Sequence, residues 1–202
     1  MDMQHDLNKI FNWTIKNNMT LNNCKFEHLK YGKDNGTKIF SKYITINGTI
    51  INNKKTVKDL GVLMSDDCSF TEHINKVSAK TKDMSSWILR TFTTRDRYVM
   101  LTLWKSLVLP HFDYCSQLWS PSSINLIQSL ESIQRSFLKK IEGLNSLNYW
   151  DQLKTLKLYS LQRRRDRYRI IYVWSILEGI TPNFNHITMG NEVGGISCYN
   201  TS

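Results

Sequence analysis

Apolar residues recur at helical spacing through most of the chain and alternate only in its first third. Leu7, Ile10, Phe11, Thr14 and Ile15 fall along one side of a helix predicted over residues 2–16, which Asn17-Asn18 breaks. Residues 19–21 and 24–29, separated by Asn22-Asn23, predict a short hairpin, and residues 30–41 a polar loop. β-Branched residues flank Asn47-Gly48, so residues 43–46 and 49–51 predict a second hairpin. Asn and Gly tolerate the positive φ angles of a two-residue type I′ turn. Residues 57–64 read as one further strand, in which Gly61 marks a bulge or a close backbone approach.

From residue 69 the period is helical. Ser69 and Glu72 have the spacing of a capping box, and the helix it opens runs to about Phe92. Ile74, Val77, Met84 and Ile88 face its core side, and Lys76, Lys80 and Lys82 its polar side. Residues 101–144 are the most regular stretch and predict two helices. Pro110 should end the first, because its ring lacks a donor and clashes with the preceding turn; serines around Pro121 should start the second. Leu126, Leu130, Ile133, Phe137 and Ile141 then form one apolar face, Arg135, Lys139 and Lys140 lie off it, and Gly143 supplies the cap. Residues 145–152 read as a loop. A last helix covers residues 161–178, stopped by Gly179 and Pro182.

The pattern gives an α+β fold: a short amino-terminal helix and a β-hairpin/strand region, followed by a mainly α-helical bundle. Residues 1–65 form the α/β segment, residues 66–182 the bundle, and residues 183–202 an irregular tail.

Charge changes the picture most. Lys and Arg number 27 against 17 Asp and Glu, a net +10 spread over both halves rather than held in a tail. Such a folded body favours polyanionic partners, nucleic acid before membrane. Four scattered cysteines without a Cys-x-x-Cys pair point to reduced thiols. The amino terminus has no apolar signal segment and no run approaches a membrane span, so the expected location is intracellular, cytoplasmic or nuclear, and not secreted.

Candidate chemistry is sparse. Asp66-Asp67 is the one adjacent carboxylate pair, and two carboxylates could hold the ions of a nucleotidyl transferase. Its place between a strand end and a helix start fits a turn better. No zinc spacing, phosphate loop or hydrolase elbow is present, so neither a catalytic residue nor a metal ligand is expected. Five arginines fall within seven residues, 163–169. Arg163, Arg164 and Arg167 on one side would make a phosphate track, with Lys76, Lys80, Arg135, Lys139 and Lys140 as companions; the plainer alternative is a solvated face. Trp104, Trp119, Trp150 and Trp174 read as core.

The ordered pieces also carry a resemblance. They begin with Asp6-Leu7, Trp13 and residues 17–22, and continue through residues 57–62 and 70–74. They are densest in Leu103-Trp104-Lys105-Ser106-Leu107-Val108, Pro110-His111-Phe112-Asp113-Tyr114-Cys115-Ser116 and Gln117-Leu118-Trp119-Ser120-Pro121. Leu130-Glu131, Gln134-Arg135, Leu158-Tyr159-Ser160-Leu161 and Arg163-Arg164-Arg165 complete the set. The chain thus resembles the carboxy-terminal part of the reverse transcriptase encoded by LINE-type, jockey-like non-LTR retrotransposons, over nearly its whole length.

The resemblance implies late palm, thumb and following helices of an RNA-directed DNA polymerase, a transposable-element product that binds template-primer nucleic acid, RNA or an RNA–DNA duplex. Leu60-Gly61 would be primer-grip-like. The metal-bound aspartates would precede Met1, so the expectation is a fragment without catalysis or cofactor, Mg2+ being implied only for the intact polymerase. Asn23 stands where the family carries a lysine that can protonate the leaving pyrophosphate, which a neutral amide cannot do. A non-catalytic protein-interaction bundle derived from a retroelement is the alternative.

Overall fold

The computed structural model describes residues 3–32 and 42–180. Most of the predicted loop at residues 30–41 and the whole tail 183–202 lie outside the described residues. The fold is α+β with mainly helical content.

Helix α1 (Met3–Lys16) forms where its period predicts, but of the predicted apolar side only Phe11 and Thr14 are buried, and Ile10 and Ile15 are exposed. Phe11 is buried from it and meets Phe26, ring centroids 5.4 Å apart. The hairpin expected over residues 19–29 is not formed. A single 3-10 turn (Asn23–Lys25), closed by the Asn22 side chain accepting from the Cys24 amide, takes its place. Asn22-Asn23 favours side-chain-to-backbone bonding over the positive φ angles that a tight hairpin requires. The short strand β1 (His28–Leu29) instead pairs in parallel with β2 (Asn53–Lys54).

The second predicted hairpin is present with a different turn. Thr45 N–H donates to Thr49 O at 2.8 Å and Gly48 N–H to Thr45 O at 2.9 Å. Ile46, Asn47 and Gly48 therefore form a three-residue loop, and only Gly48 adopts positive φ, at 78°. That is the glycine-bulge solution rather than type I′.

Residues 57–64 are not one strand. β3 (Thr56–Asp59) and β4 (Val62–Ser65) pair antiparallel around Leu60-Gly61, a two-residue turn with φ of 44° and 92°. Two consecutive positive φ angles are what a type I′ turn demands, and Gly61 provides one without a Cβ penalty. The glycine marks a chain reversal rather than a bulge.

Helix α2 (Thr71–Thr91) starts after Phe70, which sits at φ 51° with no side-chain cap. The Ser69–Glu72 box is not made; Ser69 Oγ lies 3.4 Å from the Thr71 amide. Asp67 takes the chain-turning role, accepting from Ser65 Oγ at 2.5 Å and Ser69 N at 3.0 Å.

Residues 97–119 run as α3 (Arg97–Leu103), a π turn (Trp104–Val108), α4 (Leu109–Asp113) and α5 (Ser116–Trp119). Asp96 caps α3, accepting from the Tyr98 and Val99 amides. Pro110 does not end the helix as predicted. The Leu109 amide reaches back five residues to Trp104 O, and this wider turn leaves room for the proline ring at the start of α4.

Helix α6 (Ile124–Leu138) buries Leu130, Ile133 and Phe137. It ends before Gly143, whose φ of 75° serves a later turn. The loop predicted for residues 145–152 is in part helix: α7 (Tyr149–Leu156) begins where the Asn148 side chain accepts from the Asp151 amide. Helix α8 (Leu161–Leu177) is capped by Ser160, whose hydroxyl accepts from Arg163 N.

The core lies between α2, the α3–α4 run and α6. Trp104 is fully buried there, its ring centroid 4.8 Å from Phe137 and 6.2 Å from Phe112. Trp119 is also fully buried and donates Nε1–H to Tyr114 O at 2.7 Å. Trp150 and Trp174, expected in the core, are exposed. No helix among the described residues is long and apolar enough to cross a membrane.

Candidate nucleic-acid interface

On α2, residues 73, 76, 77 and 80 share one face. His73 and Val77 are buried beneath it, while Lys76 and Lys80 project above. The β3–β4 hairpin leans over this face and α4 closes the far side. Between them lies a cleft of about 400 Å³, lined by Lys58, Leu60 and Gly61 from the hairpin, His73, Lys76, Val77 and Lys80 from α2, and His111 and Tyr114 from the α4 end.

Tyr114 fixes the hairpin tip. Its hydroxyl donates to Leu60 O at 2.6 Å, and a Cβ on Gly61 would stand 3.7 Å from its ring. The Leu60 side chain is left 82% exposed at the rim, on backbone of positive φ. A leucine held there is strained, since its Cβ crowds the carbonyl.

Three lysines and no carboxylate line the cleft. Both histidines are held below the usual imidazole range, His73 by burial and then by Lys76, His111 by burial and then by Lys80. At neutral pH the lysines therefore carry the charge. His73 Nδ1 accepts from Leu63 N at 3.3 Å, and its ring packs edge-on against Trp119. That fixes the neutral tautomer and ties α2 to β4. Lysines around a concave surface contact phosphates by charge and carry no base readout.

Of the residues singled out by sequence, Leu60, Gly61, Lys76 and Lys80 are brought together here. The others are not. Arg135 lies with its guanidinium 4.8 Å from the Tyr149 ring centroid, in a different cleft. Lys139 and Lys140 border a separate hollow beside Arg95 and Glu142. The expected track of Arg163, Arg164 and Arg167 is split. Arg163 and Arg167 flank the Tyr159 ring at 5.2 and 5.9 Å, whereas Arg164 turns inward and grips Asp113 with Nε and Nη2. About one helical turn separates Arg163 from Arg167, and Arg164, one position after the first, faces another way.

Lys58, His73, His111 and Tyr114 are the cleft residues that the sequence reading missed. His73 was within reach, three and seven residues ahead of the two lysines on one helix. Lys58, His111 and Tyr114 join only through tertiary packing. Also unforeseen is Arg165, 2% exposed, whose Nη1 and Nη2 make no hydrogen bond among the described residues. Burial pulls its pKa below the usual range, against the pull of Glu131 and Asp166.

The Asp66-Asp67 pair is a turn; hydrogen bonds from Ser65 and then Ser69 hold the Asp67 carboxyl below its usual range. No group of three or more His, Cys, Asp and Glu side chains that could hold a metal is brought together among the described residues. The chain matches no family model, no curated protein and no solved structure with which it was compared.

Proposed function

We propose that this chain is the primer-holding part, late palm to thumb and following helices, of a LINE-type RNA-directed DNA polymerase, and that it grips the phosphate backbone of an RNA–DNA duplex in the cleft between α2 and the β3–β4 hairpin. One observation carries this reading: Lys58, Lys76 and Lys80 line one cleft with no carboxylate among its lining residues, beside a hairpin tip that carries Asp59 on its strand end and is braced by Tyr114. The exposed Leu60 would rest against sugar or backbone, and the lysines would neutralise phosphates. On this proposal the chain makes no bond itself, no step passes through Mg2+, and the working compartment is intracellular.

Binding of a labelled RNA–DNA hybrid over a salt series tests it. Each phosphate contact contributes about 0.9 to the log–log slope for a duplex. The Lys76→Ala/Lys80→Ala protein should bind more weakly and with a slope shallower by about 2. Equal affinity and equal slope in the two proteins would remove the cleft from the account.

A second reading, a protein-interaction bundle, is favoured by one feature. Beyond Arg169, Ile170, Ile171, Tyr172, Val173, Trp174 and Leu177 are all exposed on α8. A helix apolar on every side ordinarily lies inside an assembly. Absence of hybrid binding at low salt, with association that Val173→Asp abolishes, would select it.

A further inference from the structure

Arg135, one of the basic residues that the lysine cleft leaves aside, belongs to another concavity. On α6 the positions 127, 128, 131, 132 and 135 share one face, and opposite them stand the first residues of α7 and α8. Together they enclose a cleft of about 500 Å³. That lies within the volume range of small-ligand pockets, and a nucleoside fits it.

Its chemistry is specific in three respects. Trp150, at the start of α7, lines the cleft yet is 64% exposed, with a centroid 5.6 Å from Tyr149. A tryptophan left open in a concave wall presents an unused π face. Arg135 supplies an exposed guanidinium at the same cleft, 4.8 Å from the Tyr149 ring centroid. Glu131 supplies an acceptor. Among the described residues its Oε1 accepts from Tyr149 Oη and from Leu161 N, and its Oε2 only from Gln162 N at 3.3 Å. An ionised carboxylate offers about four acceptor positions, so Oε2 retains capacity for one more donor. The Gln128 and Gln162 side chains add amides at the rim.

A stacking ring, a carboxylate with a spare acceptor and a nearby cation are together complementary to a nucleotide. We propose that this cleft between α6, α7 and α8 is a pocket for one unpaired nucleobase of a single-stranded RNA. Trp150 stacks on the base, Glu131 accepts from an exocyclic amine, and Arg135 meets the adjoining phosphate. Cytosine, adenine and guanine present such an amine. Uracil carries carbonyls at the equivalent places and has only its ring N–H to offer. Base stacking on an aromatic side chain tolerates any sequence, so the amine supplies the preference. This pocket shares no lining residue with the lysine cleft and does not depend on it.

Short oligocytidylate, oligouridylate and an abasic oligomer of the same length, each end-labelled, give the test with the full chain. Oligocytidylate should bind about fivefold more tightly than oligouridylate, the effect of one added hydrogen bond. Trp150→Ala should lower oligocytidylate affinity about tenfold and leave RNA–DNA hybrid binding unchanged. An unchanged melting temperature shows that this exposed position is neutral to the fold. An abasic oligomer bound as tightly as oligocytidylate overturns the pocket. So does a Trp150→Ala protein with full affinity, or no binding of any single strand at low salt. Failure of the lysine cleft reads out separately, in the hybrid series with Lys76→Ala/Lys80→Ala.

Discussion

Arg164 and Asp113 form a bidentate ion pair across 51 residues of sequence, with Nε–Oδ1 at 2.8 Å, Nε–Oδ2 at 3.0 Å and Nη2–Oδ2 at 2.8 Å. Two parallel charge-assisted bonds fix both distance and angle. The pair pins the amino-terminal half of α8 to the end of α4, one residue ahead of Tyr114, which in turn braces the hairpin over the lysine cleft.

Arg164→Ala should therefore act on stability rather than on binding. Losing a partly buried, charge-assisted pair and leaving Asp113 unpaired should cost about 2 kcal/mol in urea unfolding. Arg163→Ala, exposed one position earlier, should change stability by less than about 0.5 kcal/mol. Both proteins should bind the RNA–DNA hybrid with the slope of the parent.

The hairpin turn separates two neighbouring residues. Gly61→Ala meets ordinary contact distance at the Tyr114 ring, so its penalty is the φ of 92°, about 1 kcal/mol. Leu60→Asn should do the reverse, because Asn tolerates positive φ and the exposed leucine makes little packing. A gain of up to about 1 kcal/mol is expected with the Tyr114 hydrogen bond intact, since that bond uses the Leu60 carbonyl. Thermal melts of the two variants should shift in opposite directions. If Leu60→Asn also weakens hybrid binding, the strained leucine is kept for its contact with the duplex.

His73 makes stability depend on pH. Its folded pKa lies below the ordinary 6.5, so the unfolded chain binds the proton more readily. Its contribution is complete above 6.5 and is lost as pH falls through that value toward the folded pKa. Protonation would also remove the acceptor facing Leu63 N, beside Lys76 on α2 and Lys58 on β3. Unfolding free energy measured from pH 7.5 down to 5 should decline, and less so in His73→Gln. His111, near Lys80, is shifted the same way and adds to the decline.

The two core tryptophans should respond differently to loss of the indole N–H. Trp119 Nε1 donates to Tyr114 O, whereas Trp104 Nε1 makes no hydrogen bond among the described residues. Trp119→Phe leaves that carbonyl without its donor and removes volume. Trp104→Phe removes similar volume but also a buried unsatisfied donor. The first should be the more destabilising by about 1–2 kcal/mol in denaturant titrations.

The position of the long helices was legible in the sequence, and so was the buried side of α2 and α6, though not that of α8, which buries Arg165 and exposes residues 170–174. The apolar face of α6 through Leu130, Ile133 and Phe137, and that of α2 through Ile74, Val77 and Ile88, follow from a 3.6-residue period that needs no partner to be read. Turn chemistry was legible only in part. Gly48 and Gly61 mark reversals, but loop length and strand register depend on bonds the turn residues do not contain, as Thr45 with Thr49 and Thr56 with Ser65 show. The Pro110 helix continues because burial of Trp104, Val108 and Phe112 on both sides of the proline favours a widened turn over a break. Which basic residues share a surface was settled by packing between elements. Lysine and arginine side chains read alike along a helix until a neighbour is known. Asp113 turned Arg164 inward, whereas the hairpin that Tyr114 holds 54 residues away gathered Lys58, Lys76 and Lys80 around one cleft. Periodicity is a local property of the backbone; convergence of charge depends on contacts that close over the whole chain.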